Sequence, residues 1–235
     1  MIKYIVIIMY FIISLGMPGS GKTYLNEKIK KMFDIKPEII LIDELVQQDK
    51  TYISAVNKIL KTCKGKCLTR PSVKTYKKFE TAYWNTRVNG CGNPKCLDAS
   101  GCNCYNDRLL NNAIKKKSDI IFESALTGPL DWLFKRIPSE YSIVIFVNLL
   151  DLNTIFERIK IRVKSEIRRK IAPRLPQYNK KFLIQRRKLL YKNLFDLLKR
   201  KVRMILYDNI KEQIIYDAHT YPLTHPKIKK IIYSY

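Results

Sequence analysis

The stretch Gly16-Met17-Pro18-Gly19-Ser20-Gly21-Lys22-Thr23 fills every fixed position of the phosphate-binding pattern G-x-x-x-x-G-K-[ST]. An apolar run at 10–15 precedes it with the composition of a strand, and residues 24–31 follow it with helical spacing. The pattern gains specificity from this strand-turn-helix context. We therefore expect a phosphate-binding loop here, against the alternative of a chance glycine-rich turn.

The chemistry of such a loop follows from its backbone. Glycines let N–H groups converge on an anion, and a helix that starts at Lys22 adds unpaired donors and the positive end of its dipole. Lys22 is expected to reach the β- and γ-phosphates of ATP or GTP, and the Thr23 hydroxyl is expected to hold Mg²⁺.

Length and charge set broad limits on the fold and the partners. The 235 residues, 46% of them hydrophobic, suit one α/β domain over 1–235. The net charge of +25 favours acidic partners such as nucleotides, nucleic acid or anionic membrane. Because the lysines are spread among isoleucines and asparagines, a solvated surface is expected first and a nucleic-acid surface is the alternative.

The chain begins with an apolar run at 1–13 that has one basic residue, Lys3, near its start. This resembles a signal core, but no small-residue cleavage pattern precedes Gly16, and the run is shorter than the ~20 residues that span a bilayer. We interpret it as the lead into a buried strand, with no membrane span. A cytoplasmic, reducing location is expected, and disulfide bonds are not.

Strand and helix patterns alternate along the chain. This predicts a three-layer P-loop NTPase fold, similar to nucleoside-monophosphate kinases, with a parallel five-stranded sheet. The strands are expected at 10–15, 39–42, 118–123, 141–147 and 202–207. Beyond the helix after the loop, helices are expected at 45–60, 105–117, 128–136, 151–170 and 179–201.

Acidic residues stand at the ends of two predicted strands, where parallel sheets place their ligands. Asp43 is the candidate general base, with a helix N-cap as an equal alternative, and Glu44 follows it directly. Glu123 is expected to orient substrate hydroxyls or water bound to Mg²⁺.

Arginines mark the predicted helix at 151–170 and the loop after it. Arg158 and Arg162 are four residues apart and share a helix face, and Arg174 lies between two prolines. A lid that brings guanidinium groups onto a transferring phosphoryl group is expected, with a solvated basic face as the alternative.

A cysteine-rich insertion is expected at 63–104. Its cysteines are Cys63, Cys67, Cys91, Cys96, Cys102 and Cys104. Their spacings, C-x3-C, C-x4-C and C-x-C, lack the C-x2-C typical of zinc sites. Free thiols in a flexible substrate loop are expected first, and a zinc site is the alternative. The aromatic residues between them, Tyr76, Phe79, Tyr83 and Trp84, are expected to form a small core.

The motifs, taken in order, resemble the zeta toxins, a family of P-loop kinases that act on small hydroxylated substrates. Besides the loop, the resemblance rests on Ile40-Leu41-Ile42-Asp43, Tyr105-Asn106-Asp107-Arg108, Ile121-Phe122-Glu123-Ser124, Ile155-Phe156-Glu157-Arg158, Arg174-Leu175-Pro176 and Ile205-Leu206-Tyr207-Asp208-Asn209. It covers most of the chain, and only the loop is specific by itself.

The resemblance implies phosphoryl transfer from ATP or GTP to a sugar-nucleotide hydroxyl, in the family that of UDP-N-acetylglucosamine. It implies that Arg158 and Arg174 form a charge-stabilising pair and that Glu123 lies on the substrate side. Glu44 and Arg108 are also expected to bind substrate. The family base corresponds to Leu45 here, so Asp43 or Glu44 would have to replace it. An antitoxin-like partner is not identified by the sequence.

Two other functions remain open at this point. A polynucleotide 5′-kinase would share the loop and suit a basic surface. A non-catalytic NTP or RNA binder, with a zinc-stapled insertion, would account for the missing family base.

Overall fold

The structure is a computed structural model that describes residues 8–63, 72–174, 180–200, 202–218 and 225–235. The chain forms two compact units. The first comprises Met1–Ile40, Asn111–Leu150 and Gln185–Tyr235, and the second comprises Leu41–Leu110 and Asp151–Ile184. Three sequence predictions concern residues outside the described ranges, namely the start of the apolar lead at 1–7, Cys67, and Leu175-Pro176.

The first unit contains a six-stranded sheet in the order β2-β3-β1-β4-β5-β6. Its strands are β1 (Met9–Leu15), β2 (Glu38–Ile40), β3 (Ile120–Ser124), β4 (Tyr141–Leu149), β5 (Arg203–Asp208) and β6 (Gln213–Asp217). The first five are parallel, whereas β6 runs antiparallel to β5. The predicted α/β class is confirmed, and the predicted total of five strands is wrong. The extra strand, β6, runs back along the edge of the sheet after a four-residue turn. Its alternation of polar and apolar residues is too short to predict a strand from the sequence.

Helices connect these strands and build most of the second unit. In the described ranges they are α1 (Lys22–Phe33), α2 (Ile42–Gln48), α3 (Lys50–Lys61), α4 (Val73–Asn89), α5 (Gly101–Lys115), α6 (Asp131–Phe134), α7 (Leu152–Arg168), α8 (Lys180–Leu197) and α9 (His225–Tyr233). No described helix is long and apolar enough to cross a membrane.

Helix α1 is packed against the sheet by its apolar residues. Leu25 and Ile29 are fully buried in one cluster with Ile12 of β1, Ile121 of β3 and Phe146 of β4. Burying such side chains stabilises the fold by about 1.5–3 kcal/mol each. The same contacts hold the start of α1 next to the carboxyl end of β1, where the phosphate-loop pattern lies.

Two predicted elements of the second unit have different bounds in the structure. The helix predicted at 45–60 is interrupted at Asp49, whose backbone is extended and whose carboxylate caps α3. The region predicted as a flexible loop contains α4, a helix of 17 residues. Tyr76, Phe79 and Tyr83 are buried along α4, which confirms the predicted small aromatic core for these three residues. Trp84 is only partly buried, with its ring against that of Tyr83.

Candidate functional site

The loop at residues 16–23 connects β1 to α1 in the first unit. Gly19 has φ 81° and Gly21 has φ 89°, left-handed conformations that favour glycine. The Ser20 N–H donates to the Met17 carbonyl at 3.1 Å, which closes the turn. Gly21 occupies the N-cap of α1 without a side-chain cap. The backbone therefore has the compact turn and uncapped helix start that anion binding requires.

Gly16 is needed for a close approach of chain segments. A Cβ at this position would lie 2.7 Å from the Ser20 hydroxyl oxygen and 3.2 Å from the carbonyl oxygen of Asn148, on β4. The side-chain amide of Asn148 also donates to the Ser20 carbonyl at 2.9 Å. Asn148 of β4 thus contacts the loop at both Gly16 and Ser20, and a side chain at Gly16 would require Ser20 or β4 to shift.

We expect Gly16→Ala to weaken nucleotide binding about tenfold or more, because the added methyl group displaces Ser20 and the N–H groups beside it. Titration calorimetry with ATP measures the loss. Gly128→Ala is the matched control, since a Cβ there meets nothing within 4 Å. Equal affinities for the two variants would contradict the proposed loop geometry.

Lys22 is folded over its own loop. Its ammonium donates to the carbonyls of Gly16 at 3.1 Å and Met17 at 3.3 Å. These bonds keep the positive charge within the loop, where it can meet a bound phosphate. Thr23, the next residue, is exposed at the first turn of α1.

Glu123 lies beside the loop at the carboxyl end of β3. It pairs in register with Ser14, and the Gly16 N–H donates to the carbonyl of the next residue, Ser124, at 3.3 Å. The side-chain amide of Asn26, three residues after Thr23 on α1, donates to the Glu123 carboxylate at 2.6 Å. Asn26 was not among the predicted site residues, although it is a polar residue among the apolar positions of α1.

The residues around the loop suit Mg²⁺. Among the described residues, buried oxygens of Ser20, Asn26 and Asn148 have no hydrogen-bond partner. Such oxygens normally bind water or a ligand, and hard oxygen donors match the preference of Mg²⁺. Thr23 and Glu123 are the residues that would hold the ion, directly and through water.

The second unit contains the predicted acids Asp43 and Glu44, but not at a strand end. Strand β2 stops at Ile40, and both acids lie in the first turn of α2. The alternative of an Asp43 N-cap is wrong, because Leu41 occupies that position. Acids in a first turn interact favourably with the helix dipole. The role of Asp43 as a base stays a prediction.

Asp43 is bonded to a tyrosine of α4. The hydroxyl of Tyr83 donates to the Asp43 carboxylate. Burial raises the pKa of Tyr83 well above its ordinary value, and the charge of Asp43 raises it further. The hydroxyl therefore remains a donor near neutral pH and orients the carboxylate.

Arg174 is paired with an acid of the same unit. Its guanidinium lies 3.2 Å from the Glu44 carboxylate. Its backbone N–H donates to the Glu166 carboxylate at 3.0 Å, and its carbonyl accepts from the Arg162 guanidinium at 2.7 Å. Both of these residues lie on α7. Arg174 is therefore fixed by its main chain as well as by its side chain.

The residues just before Arg174 are also held. Gln47 donates to the Ala172 carbonyl at 2.8 Å and to the Glu166 carboxylate at 3.3 Å. The buried Tyr52 hydroxyl donates to the Pro173 carbonyl at 2.6 Å. We call Arg162, Glu166, Gln47 and Tyr52 the Arg174 clamp. The clamp was not predicted from the sequence, because its members lie on three different helices and no spacing along the chain links them.

Burial affects the charges in the clamp. It lowers the pKa of the Arg162 guanidinium, and the Glu166 carboxylate offsets this only in part. It also raises the pKa of the Glu166 carboxyl, against the influence of Arg162. Each charge thus depends on the other for its stability in this partly buried position.

The other predicted basic residues are more exposed. Arg158 lies on the exposed face of α7, one turn before Arg162, and it is Arg162 that contacts Arg174. Arg108 is exposed on α5 and donates to the Lys95 carbonyl at 3.3 Å. Their proposed contacts with phosphate and substrate stay predictions.

The cysteines differ from what we expected. Cys91 is bonded to Cys102, Cys96 is bonded to Cys104, and Cys63 is also in a disulfide. The expectations of free thiols and of no disulfides are therefore wrong. The error arose because the absence of disulfides was deduced from an expected location and not from the spacing itself. A sulfur in a disulfide has no thiolate to offer zinc, so the predicted zinc site cannot coexist with these bonds.

A mostly parallel sheet, with a glycine-rich loop between its first strand and first helix, defines a P-loop type of α/β fold. No family model matches the chain, and no curated protein matches it. A solved chain from the PezAT chromosomal toxin-antitoxin system of Streptococcus pneumoniae has a similar fold, with a TM-score of 0.57 and 14% identity. The match covers 95% of this chain and 78% of that one. The match shows that the two chains have a similar fold.

Proposed function

We propose that the protein is a kinase that transfers the γ-phosphoryl group of ATP or GTP to a hydroxyl of a small substrate. The observation that carries the proposal is the loop at 16–23, with Lys22 folded over its carbonyls and Glu123 held beside it by Asn26. The loop N–H groups and Lys22 are suited to binding a triphosphate, and the Glu123 carboxylate beside them is suited to binding the metal ion that accompanies it.

Each residue has a role in this proposal. The loop N–H groups and Lys22 bind the β- and γ-phosphates. Asp43 accepts the proton of the attacking hydroxyl, while Arg158 and Arg174 stabilise the charge that spreads over the phosphoryl oxygens. Thr23 would hold Mg²⁺ directly and Glu123 would hold it through water, and the ion would add to the neutralisation of that charge.

The Arg174 clamp supports the assignment of Arg174. A flexible arginine loses conformational entropy when it binds, whereas one whose backbone is fixed at both the N–H and the carbonyl loses less. We infer that Glu44 and Glu166 act as positioning residues. Glu44 holds the guanidinium and Glu166 holds the main chain.

The acceptor is proposed to be a sugar nucleotide or a similar hydroxylated molecule, following the resemblance to the zeta toxins. The basic charge of the chain favours a second candidate, a polynucleotide 5′-kinase. The likeness to a chain of a toxin-antitoxin system also leads us to propose an antitoxin-like protein partner, which would block the kinase when bound.

A labelled-phosphate assay separates the two acceptors. Sugar nucleotides, nucleosides and 5′-hydroxyl oligonucleotides are each offered with γ-labelled ATP or GTP and Mg²⁺. We expect transfer to a small hydroxylated acceptor, and loss of transfer with Asp43→Asn. Transfer to the oligonucleotide alone, weakening steeply with salt, would favour the polynucleotide kinase. Transfer to no acceptor, with triphosphate bound normally, would contradict both.

A further inference from the structure

Asp49 joins two elements of the second unit. One of its carboxylate oxygens caps α3, accepting from the N–H groups of Thr51 at 2.7 Å and Tyr52 at 3.3 Å. The other accepts from the N–H of Cys91 at 2.6 Å. The segment that follows α4 is thus attached to the start of α3 through this one side chain.

Two cysteine sulfurs lie at the same carboxylate. A carboxylate oxygen of Asp49 and the sulfurs of Cys91 and Cys102 all lie within 4.8 Å of one another. The Cys102 side chain is fully buried, and Cys91 is partly buried. The two sulfurs are joined to each other by the disulfide bond, and only after reduction would their thiolates, with the carboxylate, form a donor set that suits zinc.

The three donors are held together by more than the disulfide. A Cβ at Gly90 would lie 3.1 Å from the Asp49 carboxyl carbon, so the glycine permits the close approach. Gly101 has φ +56°, and a Cβ there would overlap the Val88 carbonyl. The Ser100 hydroxyl also donates to the Val88 carbonyl at 2.9 Å. These contacts should keep the donors close after the sulfur-sulfur bond is broken.

We propose that Cys91, Cys102 and Asp49 form a zinc site when the Cys91–Cys102 disulfide is reduced. A dithiol reductant supplies two electrons and two protons, so that its own thiols become a disulfide and both cysteines become thiols. Zinc then displaces the two thiol protons and binds two thiolates and the carboxylate, with water in the fourth position. The segment therefore alternates between a covalent crosslink and a metal crosslink.

The geometry needs only small movements. At a tetrahedral zinc with Zn–S bonds of about 2.3 Å, neighbouring donors are about 3.8 Å apart. The sulfurs must separate to that distance, and the Asp49 oxygen, which lies within 4.8 Å of both, must approach by no more than about 1 Å. The caps on α3 need not break, because zinc can bind the other carboxylate oxygen, which accepts only from the Cys91 N–H and so has a second lone pair.

The test measures zinc content and does not depend on kinase activity. The full chain is reduced with a phosphine, exposed to Zn²⁺, desalted and analysed by elemental mass spectrometry, beside the oxidised chain. We expect about one zinc per reduced chain and at least a tenfold lower content in the oxidised chain. Zinc absent from the reduced chain, or equal in both forms, would overturn the proposal.

Variants identify the donors. Asp49→Asn keeps one oxygen to cap α3, because asparagine is as good an N-cap as aspartate, but it removes the charged ligand and the oxygen that accepts from the Cys91 N–H. We expect it to weaken zinc binding at least tenfold without a change in helix content. The double variant Cys96→Ser with Cys104→Ser removes the other disulfide and should still bind zinc. If the double variant loses zinc and Asp49→Asn retains it, the proposed donor set is wrong.

Discussion

Replacing Lys22 by alanine should reduce phosphoryl transfer by about 100-fold or more. The ammonium lies within the loop, bonded to the Gly16 and Met17 carbonyls, at the place where the β- and γ-phosphates are proposed to bind. Without it, the charge that develops on the phosphoryl oxygens loses its nearest fixed cation. Steady-state kinetics with labelled ATP measure the effect.

The matched control is Lys31→Ala, which removes an exposed lysine from the last turn of the same helix. It changes net charge by the same amount and is expected to leave transfer within about twofold of the parent chain. Circular dichroism should show the same helix content in both variants. If Lys22→Ala transfers phosphate as well as Lys31→Ala does, Lys22 has no part in the reaction and the proposed function fails.

Glu166→Ala should lower the free energy of unfolding by about 2–4 kcal/mol, somewhat less than for a fully buried ion pair because the carboxylate is only partly buried. The substitution removes the acceptor of the Arg174 N–H and of Gln47, and it leaves the Arg162 charge without its acid. Urea unfolding followed by circular dichroism measures the loss.

Glu157→Ala tests whether this effect belongs to the clamp. Glu157 is an exposed acid on the same helix, paired with Lys160 at 2.8 Å. Surface pairs of this kind contribute about 0–1 kcal/mol, so its removal should shift stability by no more than that. Equal losses for the two variants would mean that Glu166 is an ordinary surface acid. A positioning role also requires Glu166→Gln to lower kcat more than it raises KM.

The loop at 16–23 and the five parallel strands could be predicted because each is specified by residues that are adjacent in the sequence. The predicted phosphate loop is eight consecutive residues, and the structure places it between β1 and α1 with Gly19 and Gly21 in left-handed conformations. The five parallel strands are short apolar runs between breaks, which is the pattern of strands buried on both faces. The secondary structure just after Ile40 was harder to predict, because Leu41-Ile42 suits the end of a strand or the start of a helix equally well.

The sequence alone was enough to predict a P-loop type of α/β fold with Lys22 and Thr23 in the loop at 16–23, since adjacent residues and regular periods carry that information. Only the tertiary structure decided which distant residues meet. Asn26 bonds Glu123 across 97 residues, Gln47 reaches Ala172 across 125, and Asp49 meets Cys91 across 42. Such pairs depend on how helices and strands pack, and no period or spacing along the chain specifies them.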